Sequence, residues 1–248
     1  MPIVFVHGNP ETAAVWAELA SCLQLQDTLF LSPPGFGAPV PAGFGATADE
    51  YFDWLAQALA ELNGPVDLIG HDWGGVHVMR IAMEHPELIR SWVSDAAGGF
   101  DSAYVWHELA QVWQTPGKGE EAIAMALAAA PGPRAKRYEA LGMSSATASA
   151  ITNAFCVEMS QCILPLYRSA AQPALMNWGR RLAAASARPG LVLHATEDPY
   201  VGAEALHRRA AAAAGARYQA LPGLGHWWMS QGPERCAPAL LAFWSGLA

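Results

Sequence analysis

Residues Gly70-His71-Asp72-Trp73-Gly74-Gly75 constrain this chain more than any other segment. The apolar run Val66-Asp67-Leu68-Ile69 leads into them, and a helix-like stretch over 76–84 follows. A strand that turns sharply into a helix, with glycine on both sides of the turn, has the geometry of a nucleophile elbow. Serine usually stands at its tip; here the tip is Asp72. A carboxylate there can displace a leaving group from saturated carbon and form an alkyl ester on the enzyme. N–H groups at the start of the next helix favour its anionic form. An aspartate serving only as a helix cap would not need the flanking glycines.

The rest of the chain fits a scaffold for such an elbow. Strand patterns at 3–6, 27–31, 66–69 and 90–94 alternate with helix patterns at 12–23, 47–62 and 76–84. This βαβα rhythm predicts an α/β fold with a mostly parallel sheet flanked by helices. The rhythm breaks after Gly98-Gly99. From 101 to 187, Trp, Ala, Met, Gln and Leu recur at helical spacings, interrupted by Pro and Gly, so an inserted helical cap is expected there. Strands at 190–194 and 218–221 and helices at 203–214 and 234–247 complete the pattern. The expected core is 1–100 with 188–248, and the expected cap is 101–187.

Hydrophobic residues make up 52% of the 248 and charged residues 15%, enough for one large buried core and too apolar for disorder. The net charge is −8, and the nearest thing to a basic run is Arg134-Ala135-Lys136-Arg137, which reads as a solvated helix face. No nucleic-acid partner is expected, and a small, neutral, apolar substrate with water as co-reactant is favoured. Four cysteines lack CxxC or histidine spacing, which suggests reduced thiols, a cytoplasmic location and no metal. The apolar start is short and lacks a basic region, so it reads as a strand and not a signal peptide. No apolar stretch approaches the ~18 residues of a membrane span, and no membrane partner is expected.

Two further features fall at strand ends, where open α/β sheets place their sites. His7-Gly8-Asn9-Pro10 follows the first strand. The C-terminal half supplies Glu197-Asp198-Pro199 and Gly225-His226-Trp227-Trp228. His226, in a glycine-bounded loop, can activate water as a general base. Asp198 can orient it, with Asp95 a competing acid and Glu197 a weaker one.

The His-Gly-Asn-Pro turn, the Gly-His-Asp-Trp-Gly-Gly elbow and the late Gly-His together resemble the α/β-hydrolase fold family. The resemblance covers nearly the whole chain and is closest to the branch of epoxide hydrolases and haloalkane dehalogenases. It implies Asp72 as nucleophile, His226 as base and Asp198 as its charge partner. It also implies Asn9 and Trp73 as oxyanion-hole or halide-binding residues, and no cofactor. The segment before the His-Gly turn is shorter than that family's, so a reduced sheet edge, or one covered in a homodimer, is expected. Ser32 stands where the family often has aspartate.

The segment Ile163-Leu164-Pro165-Leu166-Tyr167-Arg168-Ser169-Ala170 looks like the aromatic-Tyr-Arg motif of epoxide hydrolases. It implies Tyr167 as the proton donor to a leaving oxygen. Tyr104 and Tyr138 are available as a second tyrosine, and with His7 they form the expected substrate-binding set. The double glycine Gly74-Gly75 also looks more like epoxide hydrolases. Epoxide opening is therefore expected, with dehalogenation as the alternative and an inactive binding scaffold as a further one.

Overall fold

The computed structural model describes residues 2–247; the outermost residues of the expected core, Met1 and Ala248, lie outside the described residues. Six strands form one parallel sheet: β1 (Ile3–Val6), β2 (Thr28–Leu31), β3 (Val66–Gly70), β4 (Ile89–Ser94), β5 (Gly190–Ala195) and β6 (Arg217–Leu221). Their order is β2-β1-β3-β4-β5-β6. From β1 the chain winds one way to β2 and then back past β1 to β3. The C-terminal ends of β1 and β3 thus flank the topological switch point, where open α/β sheets bind ligands. The His7–Pro10 turn leaves one of these ends and the Asp72 elbow leaves the other.

Helices cover both faces, as expected. α1 (Ala17–Leu23) follows a 3-10 turn whose N-cap is Thr12, so the single helix expected over 12–23 begins with a tighter turn. α2 (Ala48–Ala60) is started by a capping box between Thr47 and Glu50. α3 (Trp73–Glu84) begins immediately after the elbow. Strand alternation divides the core. Val4, Val6 and Leu68 face the cluster with α2 and α3, while Ile3, Phe5 and Ile69 face Trp16, Leu19 and the C-terminal helices.

Between β4 and β5 the described elements are all helical: α4 (Glu108–Gln114), α5 (Lys118–Ala128), α6 (Pro131–Ala140), α7 (Ser145–Ala154), α8 (Val157–Ser169) and α9 (Ala174–Gly179), with short 3-10 turns at either end. Side chains fasten this insert to the sheet layers. Ser169 accepts from the Ala48 N–H at 2.9 Å, Glu158 from Val40 N–H at 3.1 Å, and Ser230 from Ser144 N–H at 3.0 Å. The chain finishes with α10 (Glu204–Ala213), α11 (Trp228–Gln231) and α12 (Pro233–Ser245). No helix formed by the described residues is long and apolar enough to cross a membrane.

Candidate active site

Asp72 sits at φ 51°, ψ −121°, a conformation that side-chain-bearing residues avoid. Such backbone costs about 1–3 kcal/mol and persists only where its surroundings enforce it. Those surroundings are glycines. A Cβ on Gly74 would lie 2.2 Å from the Val6 carbonyl oxygen, and one on Gly8 would lie 2.4 Å from the Asp72 side chain. The elbow can therefore press against the β1 turn, and that approach brings Asp72 Oδ1 to the Asn9 N–H at 3.0 Å. Of the two oxyanion-hole donors expected, Asn9 is thus bonded to the carboxylate. Trp73 follows at the first position of α3.

His226 stands over the other carboxylate oxygen, with Nε2 3.9 Å from Asp72 Oδ2. Its Nδ1 donates to Asp198 Oδ2 at 2.7 Å, and Asp198 Oδ1 is fixed by the Tyr200 N–H at 2.7 Å. Asp198 is therefore the acid behind His226. Asp95 serves a different histidine: its Oδ2 accepts from His71 Nδ1 at 2.5 Å and from the Trp228 indole at 2.6 Å, and its Oδ1 from the Asp72 N–H at 2.9 Å. Glu197 is exposed.

Burial raises the Asp72 carboxyl to about 6, despite the opposing charges of His226 and His71. Burial works against a charged His226, but the Asp198 carboxylate more than offsets it and holds the imidazole above its ordinary value. Burial likewise works against the charge on His71, and the Asp95 and Glu11 carboxylates on its two nitrogens reverse the effect, holding it well above the usual range. His71 Nε2 lies 3.4 Å from Glu11 Oε1, which also accepts from the Trp227 indole. Glu11 is brought down to about 2, the charge of His71 outweighing its burial. His71, buried between two carboxylates, thus lies behind Asp72, its ring 4.5 Å from that of His226. Glu11, His71 and His226 each bring a ligand atom within 4.8 Å of the others. Within this group His71 Nδ1 is committed to Asp95 and His226 Nδ1 to Asp198.

A cavity of about 480 Å³ opens above Asp72 between the sheet and the insert. Asn9, Asp72, Tyr138, Tyr167 and His226 line it, along with Tyr200. A second hollow of about 30 Å³ lies beside Asp72, lined by Trp73, Tyr104, His107 and Tyr167 among others. Tyr167 borders both spaces and is 2% exposed, with its ring 5.2 Å from Trp73 and 4.7 Å from Trp113. Burial, reinforced by the Asp72 charge, keeps its phenol protonated. The Tyr104 hydroxyl is committed to the Tyr200 carbonyl at 2.8 Å. Tyr138 packs on Trp227 at 5.1 Å. His7 is fully buried against Gly8, and is not among the residues lining either space.

Sequence reasoning passed over Glu11, His71, Tyr200 and His107. His107 caps α4: its Nδ1 accepts the Ala110 N–H at 3.2 Å. Burial lowers it to about 4, so at neutral pH it is uncharged. The single proton must then sit on Nε2, since Nδ1 is the acceptor. His107 lines both spaces as a hydrogen-bond donor in a fixed tautomer. Its only signal in the sequence is its place just before a helix pattern, a position usually read for Ser, Thr, Asp or Asn.

The alpha/beta hydrolase family model matches residues 3–239. A cis-3-alkyl-4-alkyloxetan-2-one decarboxylase of Shewanella oneidensis is 34% identical over 107 residues, 40% of this chain and 33% of that protein. The chain thus spans about a third of the length of the curated relatives it matches. Haloalkane dehalogenase DbeA from Bradyrhizobium elkani superposes with a TM-score of 0.74 at 20% identity, covering 99% of this chain and 90% of its own. The enol-lactonase from Burkholderia xenovorans does so with a TM-score of 0.73 at 18% identity, covering 98% and 91%. At such identities the likeness is one of fold.

Proposed function

The chain belongs to the alpha/beta hydrolase family, and we propose that within it the protein opens an epoxide to a vicinal diol through an ester on Asp72. The observation that carries this reading is the pairing of Asp72 at the elbow with a buried, protonated Tyr167 on the same cavity. An epoxide oxygen leaves as an alkoxide and needs a proton, which a phenol can give.

Asp72 Oδ2 attacks an epoxide carbon, and the C–O bond on the far side breaks. The leaving oxygen takes the Tyr167 proton, with the His107 Nε2–H as a second donor, and a hydroxyalkyl ester remains on Asp72. His226 Nε2 then removes a proton from water, and the resulting hydroxide adds to the Asp72 carboxyl carbon. Negative charge develops on Oδ1, where the Asn9 N–H already points. Collapse breaks the ester C–O bond, the departing alkoxide takes the proton of the new Asp72 carboxyl group and leaves as the diol, and the His226 proton restores the phenol. Asp198 stabilises the imidazolium between these steps.

Dehalogenation is the second reading. Asn9 and Trp73 flank Asp72, as halide donors would, and a fold neighbour is named a haloalkane dehalogenase. A His226→Phe variant tests both readings, because alkylation does not need the base while hydrolysis does. It is incubated in parallel with styrene oxide and 1-bromobutane and digested for mass spectrometry. A hydroxyalkyl adduct on Asp72 from the epoxide alone is the expected result. A butyl adduct alone, with bromide released, overturns it in favour of the dehalogenase, and no adduct from either points to an inactive scaffold.

A further inference from the structure

The basic run 134–137 leaves Lys136 and Arg137 exposed, as a solvated helix face would, and two of its arginines also border the main cavity. Arg134 and Arg137 are three residues apart on α6 and share one of its faces. Both line the outer wall of the main cavity, together with Tyr138. Lys136 turns away and pairs with Glu139 at 2.9 Å. Arg134 is held in place, donating to the Ala126 and Ala129 carbonyls and stacking on Phe155 at 4.2 Å. Arg137 has no acidic partner among the described residues, although seven other basic side chains do. Its charge reaches the phenols of Tyr138 and Tyr200 on the cavity wall.

The cavity is therefore polarised. Asp72 and Glu11 lie at its floor, while the two arginines line its wall among apolar residues such as Ile123, Met125, Leu141 and Phe155. Met125 and Leu141 are exposed, so this part of the wall reaches solvent. An anion at the floor would meet the nucleophile's own charge. At the outer wall it would meet an unpartnered guanidinium, whose planar fork suits a carboxylate. The protein's net charge of −8 draws no anion from a distance, so selectivity must come from this local contact. We propose that Arg137, supported by Arg134, binds a carboxylate at one end of an otherwise apolar substrate and so directs the opposite, reactive end toward Asp72. This rests on the reading of the same cavity as an Asp72 alkylation site, and it replaces the expected neutral substrate with an amphiphilic acid.

Calorimetric titration with octanoate and octan-1-ol, neither of which can alkylate Asp72, tests the proposal apart from the chemistry. In the intact protein octanoate binds roughly tenfold more tightly than the alcohol, the size of one charge-assisted hydrogen bond. Added salt shrinks that ratio. Arg137→Gln brings the ratio to about one, and Arg137→Glu inverts it. An equal or lower affinity for octanoate in the intact protein, a preference unchanged in Arg137→Gln, or no binding of either probe overturns the proposal. Loss of the Asp72 adduct in the alkylation experiment, with octanoate preference intact, would instead sink the epoxide reading alone.

Discussion

Asp95→Asn tests whether the buried cluster behind the nucleophile is an ion pair with a structural duty. Asp95 and His71 are 2% and 0% exposed, so water cannot compensate for a lost partner. The carboxylate accepts three hydrogen bonds, from His71, Trp228 and the Asp72 N–H. An amide has one oxygen and one NH2 in the same space. Whichever way it turns, at least one of those donors faces another donor, and His71 loses one of the two charges that keep it protonated. Breaking a buried pair in this way costs about 3–5 kcal/mol. At about 2–4 °C per kcal/mol for a chain of this size, the melting temperature falls by roughly 6–20 °C. The sign with pH is fixed as well. Asp95 is held below the ordinary carboxylate value, its pairing with His71 outweighing its burial. The stability it confers is present above the unfolded-state value and is lost as pH falls through the folded one, so parent and variant converge in acid. Thermal unfolding across acid and neutral pH measures both effects. A drop under about 2 °C at neutral pH, or a gap that does not narrow in acid, would refute the ionised network.

Asp198→Asn removes the acid from His226 and should slow turnover on the order of 10²–10⁴-fold while leaving single-turnover ester formation nearly intact; equal loss of both would mean that Asp198 does not serve the base. Ester formation in rapid-quench experiments should rise with pH and level off above about 6, where Asp72 becomes anionic; a flat profile through pH 6 would contradict that value. Because burial raises Asp72, its contribution to stability is full below the unfolded-state value and is lost as pH rises through about 6. Asp72→Asn should therefore be more stable than the parent at pH 8, by up to about 3 kcal/mol in thermal unfolding, and show less advantage at pH 4. Tyr167→Phe should slow alkylation by a styrene oxide about 10²–10⁴-fold, the usual yield of one general acid, and an unchanged rate would assign proton donation elsewhere.

The sequence displayed the parts of this site whose logic is local. The elbow can be read from Val66 to Glu84 because strand, glycines and helix adjoin one another. His226 and Asp198 were legible because each stands in a short turn directly after a strand. Asp95 against Asp198 could not be decided from spacing, since both follow strands of one parallel sheet. The choice depends on which loop lies beside His226. Glu11 and His71 were hidden for a related reason. A carboxylate near a turn reads as solvated until Trp227, 216 positions away, is seen donating to it. The face of α6 that carries Arg134 and Arg137 follows from how the insert packs, and a helix shows its polar face in sequence without showing what that face meets.

On the proposed mechanism the electrostatics of the site also bear on how His226 serves as a base. The charge on Asp72 is among the causes that hold His226 above its ordinary value, while His71 acts to lower it. Alkylation turns Asp72 into a neutral ester and removes the first influence. The imidazolium of His71 lies behind the ester, its pairing with Asp95 and Glu11 untouched. On the proposed mechanism His226 therefore holds a proton less tightly at the moment the ester needs a base. Asp198 stays bonded to Nδ1 and keeps Nε2 as the nitrogen that sheds and regains the proton. His71 acts to lower His226 from behind the elbow and is not among the residues lining the cavity.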